Sequence, residues 1–318
     1  MLTGLCLSWV ALLMAAGVAL DWMLGEPRKW HPLVGFGMMA SVIERRLNRG
    51  SFLRLRGVLA WSVAVIPLTC IAAWIAATAT SVHVVAGFAV HAALLYFSIG
   101  LRSLRDHMLP IARALVAGEL AQARELTSRI VSRDTRQSGE PELAKAAVES
   151  LLENGNDAVF GTLFWFAVAG GPGAVLFRLA NTLDAMWGYR NERFHAFGWL
   201  AARSDDVLNW IPARLTALSY AILGDTRSAW QCWRTQAASW SSPNAGPVMS
   251  AGAGALRLAL GGAAEYDGEI EQRPLLGAGR PAAASDIPRA WALVMRTCIV
   301  WLAVLAAGGY LIERIGHA

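Results

Sequence analysis

Residues 58–101 contain no Asp, Glu, Lys or Arg. Hydrocarbon about 30 Å thick is crossed by about 20 apolar residues rising 1.5 Å each. The run is therefore predicted to hold two membrane spans, 58–79 and 83–101, joined by a tight turn near Thr80 to His83. Its two histidines, His83 and His91, are read as hydrogen-bonded interior or turn histidines rather than ligands. Residues 1–20 are also uncharged and the apolar run continues to Leu24, which predicts a span over 2–24. With no basic segment before it, this span is not expected to be a cleaved signal. A last span is predicted over 292–312. Composition agrees, with 55% hydrophobic and 16% charged residues. The expected fold class is an all-α polytopic integral membrane protein: one membrane-embedded domain over 1–318, with about four full spans, re-entrant or buried helices and a cytoplasmic helical region.

Two apolar stretches are not expected to cross. Residues 158–177 are uncharged, but Gly170-Gly171-Pro172-Gly173 cannot continue a regular helix. Two short helices forming a re-entrant hairpin are predicted instead, since irregular backbone at membrane depth must be lined by protein or water. Residues 207–224 carry Arg214, which would cost about 2.5–3.5 kcal/mol facing lipid at the bilayer centre. That helix is expected to be buried in protein with Arg214 facing the site. Further on, a small-residue helix is predicted through Ala251 to Leu260, and loops over 265–268 and 274–285. Most of the 14 tryptophans read as interfacial anchors, with Trp187, Trp199 and Trp210 as candidate stacking surfaces.

Charge orients the chain. Residues 25–57 hold seven basic side chains, including Arg28 and Lys29, against Glu26 and Glu44, so this loop is expected on the cytoplasmic side and both termini outside. Residues 102–157 change to amphipathic helical periodicity, with turns near Ala117-Gly118 and Ser138 to Pro141, a loop over Arg133 to Arg136, and a helix through Lys145, Glu149 and Glu153. Lys29 and Lys145 are the only lysines and neither follows glycine, which excludes a Gly-Lys-Ser/Thr phosphate loop. No basic block suggests nucleic acid. Cys6, Cys70, Cys232 and Cys298 show no C-x-x-C pairing, so neither a disulfide framework nor a zinc site is implied.

The chemistry concentrates between residues 145 and 214. Glu149, Glu153 and Asp157 fall within about 80° on one helix face provided Gly155 does not break the helix; a solvated face is the plainer alternative. Asp205 and Asp206 directly precede the predicted 207–224 helix. One of them can cap it, worth about 1 kcal/mol. With Asn209 a turn later they would instead offer hard oxygens to Mg²⁺.

These motifs resemble those of the membrane-bound adenosylcobinamide-phosphate synthase (cobinamide phosphate synthase) family of cobalamin biosynthesis. The resemblance covers nearly the whole chain. It is carried by Asp21-x-x-Leu24-Gly25-Glu26-Pro27 with Trp30-His31-Pro32, Arg133-Asp134-Thr135, Glu149-Ser150 with Glu153-Asn154, Asn181-Thr182-Leu183-Asp184, Gly188-Tyr189-Arg190-Asn191, Arg203 with Asp205-Asp206, Asn209-Trp210-Ile211-Pro212-Ala213-Arg214, and Ser242-Pro243-Asn244-Ala245-Gly246. The chain departs from the family pattern at positions 155, 156 and 158–162, where Asp157 alone keeps its expected identity.

The resemblance implies an ATP-dependent carbon–nitrogen ligase that joins a propionate of adenosylcobyric acid to aminopropanol or its O-phosphate. It would work at the inner membrane with its active site facing the cytoplasm, among other membrane enzymes of late cobalamin assembly. A carboxylate must be activated before an amine attacks it, which asks for Mg²⁺ and ATP, cations for the transferring charge, and a base. The implied catalytic residues are His31, Glu149, Glu153 and Asp184. Substrate and phosphate would be held by Arg133, Asn181, Tyr189, Arg190, Asn191, Arg203, Asn209, Arg214 and Asn244, and the metal by residues drawn from Glu153, Asp157, Asp205 and Asp206. The alternative is a non-catalytic membrane sensor or accessory protein, or an anion transporter, of the same fold. Six carboxylates beside the arginines favour the enzyme.

Overall fold

The computed structural model describes residues 6–27, 31–131, 133–266 and 269–316. The chain is almost wholly helical, as expected, and divides into two compact units, each built from separate stretches. Arg28, Lys29 and Trp30, part of the predicted basic loop, lie outside the described residues, as does the start of the first span.

The first unit comprises residues 1–101, 161–209 and 301–318. Helix α1 is Leu7–Leu24, α2 is Pro32–Leu47, α3 is Leu53–Val82 and α4 is Val84–Ser98. The segment read as a basic loop is thus largely helical: α2 buries Phe36, Ala40 and Glu44 on one face and exposes Arg45 and Arg46. Helix α3 exposes Leu59, Val63, Ile66, Ile71 and Trp74, the outward apolar surface expected of a helix in lipid. The predicted turn falls at His83, whose Nδ1 accepts the Val85 amide at 3.2 Å and so caps α4.

Helix α8, Gly161–Trp187, contains the predicted break: Ala169 has φ −135° and ψ 18°, and Gly170 has φ 63° and ψ −155°. A Cβ at Gly161 would collide with the ring of Phe177, yet in a straight helix these positions are about 24 Å apart. The chain therefore doubles back, and α8 is a helical hairpin. His91 accepts the Gly171 amide at 3.0 Å, satisfying a donor at the start of the second arm. The second arm packs into a core of Phe36, Ala40, Ala60, Ala64, Val65, Leu183, Trp187 and Phe197, where small residues allow close helix approach. Trp187 is 1% exposed and meets the Phe197 ring edge-on, so it is a core residue rather than a stacking surface. Helix α9, Trp199–Leu208, completes this unit together with the end of the last helix.

The second unit comprises residues 102–160 and 210–300. Helices α5, Leu101–Val116, and α6, Leu120–Ser128, meet at the predicted turn, and α7, Glu140–Asn154, carries Pro141 in its first turn. Gly155–Phe160 is a π-helical segment. Its wider turn rotates the chain after Gly155, so Asp157 does not continue the α-helical spacing of Glu149 and Glu153. Helix α10 is Trp210–Leu223, α11 is Thr226–Gln236 and α12 is Ala245–Leu256. Every residue of α12 is buried, which its Ala/Gly composition permits.

Two expectations fail here. The helix predicted to Leu260 stops at Leu256, where Arg257 turns left-handed (φ 55°). Part of the predicted loop is a hairpin of β1, Leu258–Tyr266, antiparallel to β2, Glu269–Leu276, with a bulge at Gly261; Asp267 and Gly268 lie outside the described residues. A short β3, Arg280–Pro281, pairs parallel to β1. In addition, the apolar window 207–224 straddles two helices. Helix α10 buries Ala213, Thr216, Ala217 and Tyr220 but exposes Trp210, Ile211, Leu218 and Ile222, so it is half-buried, not enclosed. The last helix, α13, is Asp286–Gly316.

Among the described residues, five stretches are long and apolar enough to cross a membrane: Leu7–Leu24, Leu53–Val82, Val84–Val116, Glu140–Trp187 and Asp286–Ile315. The fourth is interrupted by the π segment and by the reversal within α8, so it is not one straight span.

Candidate functional site

The first unit gathers the Asn181, Arg203 and Asn209 motifs around a buried carboxylate. Asp205 lies in the last turn of α9, and its Oδ1 accepts Asn181 Nδ2 at 3.1 Å. Asn209 Nδ2 reaches Oδ1 at 3.2 Å and Oδ2 at 3.1 Å. Arg178 Nη1 in turn donates to Asn181 Oδ1 at 3.2 Å. Neither Asp205 nor Asp206 caps α10, because both belong to α9; the capping alternative is overturned. Burial raises the Asp205 carboxyl, and the charge of Asp206 pushes it further, against the pull of the Asn181 and Asn209 amides. Burial also raises Asp206, opposed by the charges of Arg203 and Arg190. Arg203 Nη1 stands 3.5 Å from Asp206 Oδ2. Two adjacent carboxyls held above their ordinary range are poised to gain from a cation or a shared proton.

His31 departs from its expected role. Its Nδ1 accepts the Leu33 amide at 3.2 Å, capping α2, and burial lowers its pKa, partly offset by Glu26. A neutral ring with Nδ1 so engaged carries its proton on Nε2. It presents a donor there, not a base. Tyr189, Arg190 and Asn191 are exposed, and Asn191 Oδ1 accepts the Phe194 amide at 3.0 Å, shaping the 188–198 turn. That turn is fastened to α2 by Arg193, which grips Glu44 through Nε at 3.1 Å and Nη2 at 2.9 Å. Asp184 lies half-buried one turn after Asn181.

In the second unit Glu149 is 3% exposed and fully engaged. Arg133 Nη2 meets its Oε2 at 2.6 Å, Arg273 donates to both oxygens at 3.2 and 3.3 Å, and the Gly261 amide reaches Oε1 at 2.7 Å. A carboxylate so saturated positions arginines. Lys145, one turn earlier, donates to the Gly261 and Ala263 carbonyls at 2.9 and 3.1 Å. Arg214 and Asn244 come together at 2.7 Å, while the Arg214 guanidinium lies over the Trp210 ring at 4.6 Å and also reaches the Trp210 and Pro243 carbonyls. Arg214 thus ties α10 to the 242–246 segment. Asn156, at a departure from the family pattern, accepts Thr216 Oγ1 at 3.0 Å and donates to Asp157 at 2.9 Å. Glu153 and Asp157 are half-buried.

The four expected metal ligands are split: Glu153 and Asp157 belong to the second unit, Asp205 and Asp206 to the first. Among the described residues no three Asp, Glu, His or Cys side chains form a metal-binding group. Sequence reading passed over Arg178, Lys145 and Arg273. Arg178 and Lys145 stood in or beside the quoted motifs. Arg273 fell between the two stretches read as loops, 265–268 and 274–285, and the β-hairpin brings it to Glu149 of α7.

The fold and these clusters define a polytopic helical membrane protein with buried, hydrogen-bonded carboxylates inside each unit. Residues 14–294 match the family described as CobD/Cbib protein, and the chain belongs to that family. It is 54% identical over 304 residues to "Cobalamin biosynthesis protein CobD" of Stutzerimonas stutzeri (strain A1501), covering 95% of this chain and 99% of that one. It is 51% identical over 315 residues to the protein of the same name from Chromobacterium violaceum, covering 97% and 99%. The protein of that name from Halalkalibacterium halodurans is 36% identical over 302 residues, covering 92% and 94%. No solved structure matches.

Proposed function

We propose that this protein acts in cobalamin biosynthesis as a membrane-bound, ATP-dependent amide ligase, joining a propionate of adenosylcobyric acid to aminopropanol or its O-phosphate. The observation that carries this reading is the convergence of Asn181 and Asn209, from separate sequence motifs, on the buried Asp205 carboxylate beside Asp206. A buried charge held by amides alone is costly, and a bound cation or polar substrate compensates that cost.

In the proposed reaction a propionate oxygen attacks the γ-phosphorus of ATP, ADP leaves, and an acyl phosphate forms. The amine lone pair then attacks the acyl carbon, the C–N bond forms, the C–O bond to phosphate breaks, and the amine gives up a proton. Asp206, half-buried with its pKa raised, suits the proton acceptor, since a base works best with its pKa near the working pH. The exposed Arg190 and Arg203 suit phosphate oxygens, whose geometry guanidinium matches in pairs. Mg²⁺ takes one or two carboxylates and keeps waters and phosphate oxygens as its other ligands. Asp205 fits that demand, and the ion would neutralise the ATP phosphates. Glu149 is assigned to positioning Arg133, and His31 to capping α2 and offering Nε2–H. Access to ATP puts this chemistry on the cytoplasmic face of the inner membrane.

The test is the full-length protein purified in detergent with adenosylcobyric acid, MgATP and either amine. ADP, phosphate and amide product should appear in equal amounts, each requiring all three substrates. Amide formation without ATP, or AMP in place of ADP, would exclude the acyl-phosphate route.

A further inference from the structure

Arg133, Lys145 and Arg273 surround Glu149, so three cations share one buried carboxylate. The side chains of Arg133 and Arg273 are only 9% and 10% exposed. Of the other nearby acids, Asp134 is gripped by Arg136, while Glu142 Oε2 accepts the neutral Gly139 amide at 3.0 Å at the start of α7 and keeps its charge, so three cations face the two acids Glu149 and Glu142. Arg136 holds the Asp134 carboxyl down to about 2. The cluster thus carries an excess of positive charge where water is scarce, and buried charge of one sign calls for a counter-charge.

Next to it lies a cavity of about 310 Å³ lined by Arg133, Lys145, Thr135, Gln137, Ser138 and the first turn of α7, among others. Its lining offers an oxyanion two cations, neutral hydroxyl and amide donors, and the positive end of a 15-residue helix, and it also holds the carboxylates of Asp134, which Arg136 pairs, and Glu142, which caps that helix. Lys145 spends two of its three donors on β1 carbonyls and keeps one. Glu149, held by Arg273 and the Gly261 amide, fixes the Arg133 guanidinium against this wall. Arg273 is itself set by its approach to the Trp240 ring at 5.4 Å.

We propose that this cavity is a phosphate-binding site, in which Arg133 and Lys145 contact the phosphate oxygens while Glu149 and Arg273 position Arg133. The site stands on the geometry of the second unit alone. Only the source of the phosphate, ATP or the phosphorylated amine, rests on the ligase reading.

The probe is inorganic pyrophosphate, titrated calorimetrically into the full-length protein in detergent without Mg²⁺ or corrinoid. Saturable binding is expected, weakening as salt is raised and falling about tenfold or more in Lys145→Gln, whose amide can keep a β1 carbonyl contact. Arg273→Lys, which retains charge but loses the two-oxygen grip on Glu149, should weaken binding by a smaller factor and decides the matter if Lys145→Gln does not fold. No binding by the parent, or parental affinity in the folded variants, overturns the site. Titration with ATP and with aminopropanol phosphate then separates the sources: the one whose affinity falls in parallel with pyrophosphate occupies the cavity. A protein that binds pyrophosphate but makes no amide would sink the ligase reading and leave this site standing.

Discussion

Asn209 lies one turn beyond Asp205 and places its Nδ2 within 3.2 and 3.1 Å of the two carboxylate oxygens. One amide thereby spans both oxygens of a buried acid, while Asn181 approaches from α8.

Asp205→Asn keeps the shape and removes the charge. Expression, membrane insertion and thermal midpoint should stay near the parent's, because the desolvation cost of the carboxylate disappears with it. Ligation should drop by about a hundredfold or more if the charge serves a bound cation or substrate. Near-parental product formation by Asp205→Asn would make the cluster a packing device.

Asp206 sets a pH dependence. Burial holds its carboxyl above the ordinary range, so it stays protonated to a higher pH than a free aspartate and becomes a base only above that raised value. The rate should therefore climb with pH along an acid limb displaced upward from the usual carboxylate range. Asp206→Asn should abolish that limb. An unchanged profile in the variant removes Asp206 from the reaction.

His31 is expected to tolerate the residue that caps best. Asn at position 31 can accept the Leu33 amide as His31 Nδ1 does, so His31→Asn should retain stability and most activity, whereas His31→Ala should lose about 1 kcal/mol of stability. A stable but inactive His31→Asn would restore His31 to the catalytic set, and a thermal melt paired with the ligation assay distinguishes the two.

The hairpin in α8 depends on Gly170, whose φ of 63° and ψ of −155° suit glycine almost alone. Gly170→Val should cost about 1–3 kcal/mol and lower the yield of folded protein. Because the hairpin brings the chain back, a cysteine placed at exposed position 190 should react with impermeant reagents in inverted vesicles and not in intact cells. Labelling from outside would refute the re-entrant arrangement.

Much of this architecture is legible in the chain itself. The uncharged run 58–101 and its turn at His83, the break at Gly170-Gly171-Pro172-Gly173 and the helices of 102–154 follow from local properties: an apolar run long enough to span, a residue that tolerates φ > 0, a period of 3.6. The Asn181, Asp205 and Asn209 motifs were also visible as residues. What the sequence could not state is partnership. A cap by one of Asp205 and Asp206 stays open as an alternative in the sequence because the apolar window hides the boundary between α9 and α10 at Asn209, and a one-turn error in a helix end reverses which terminus an acid occupies.

Nothing local to Glu149 reveals Arg273, 124 residues away. That pair exists only because left-handed Arg257 ends α12 and the bulge at Gly261 turns β1 back across α7. Helix, span and turn are decided by interactions a few residues long, so composition and spacing determine them. Whether a buried acid is a base, a ligand or an anchor is decided by which distant donors reach it, and only the tertiary structure sets that.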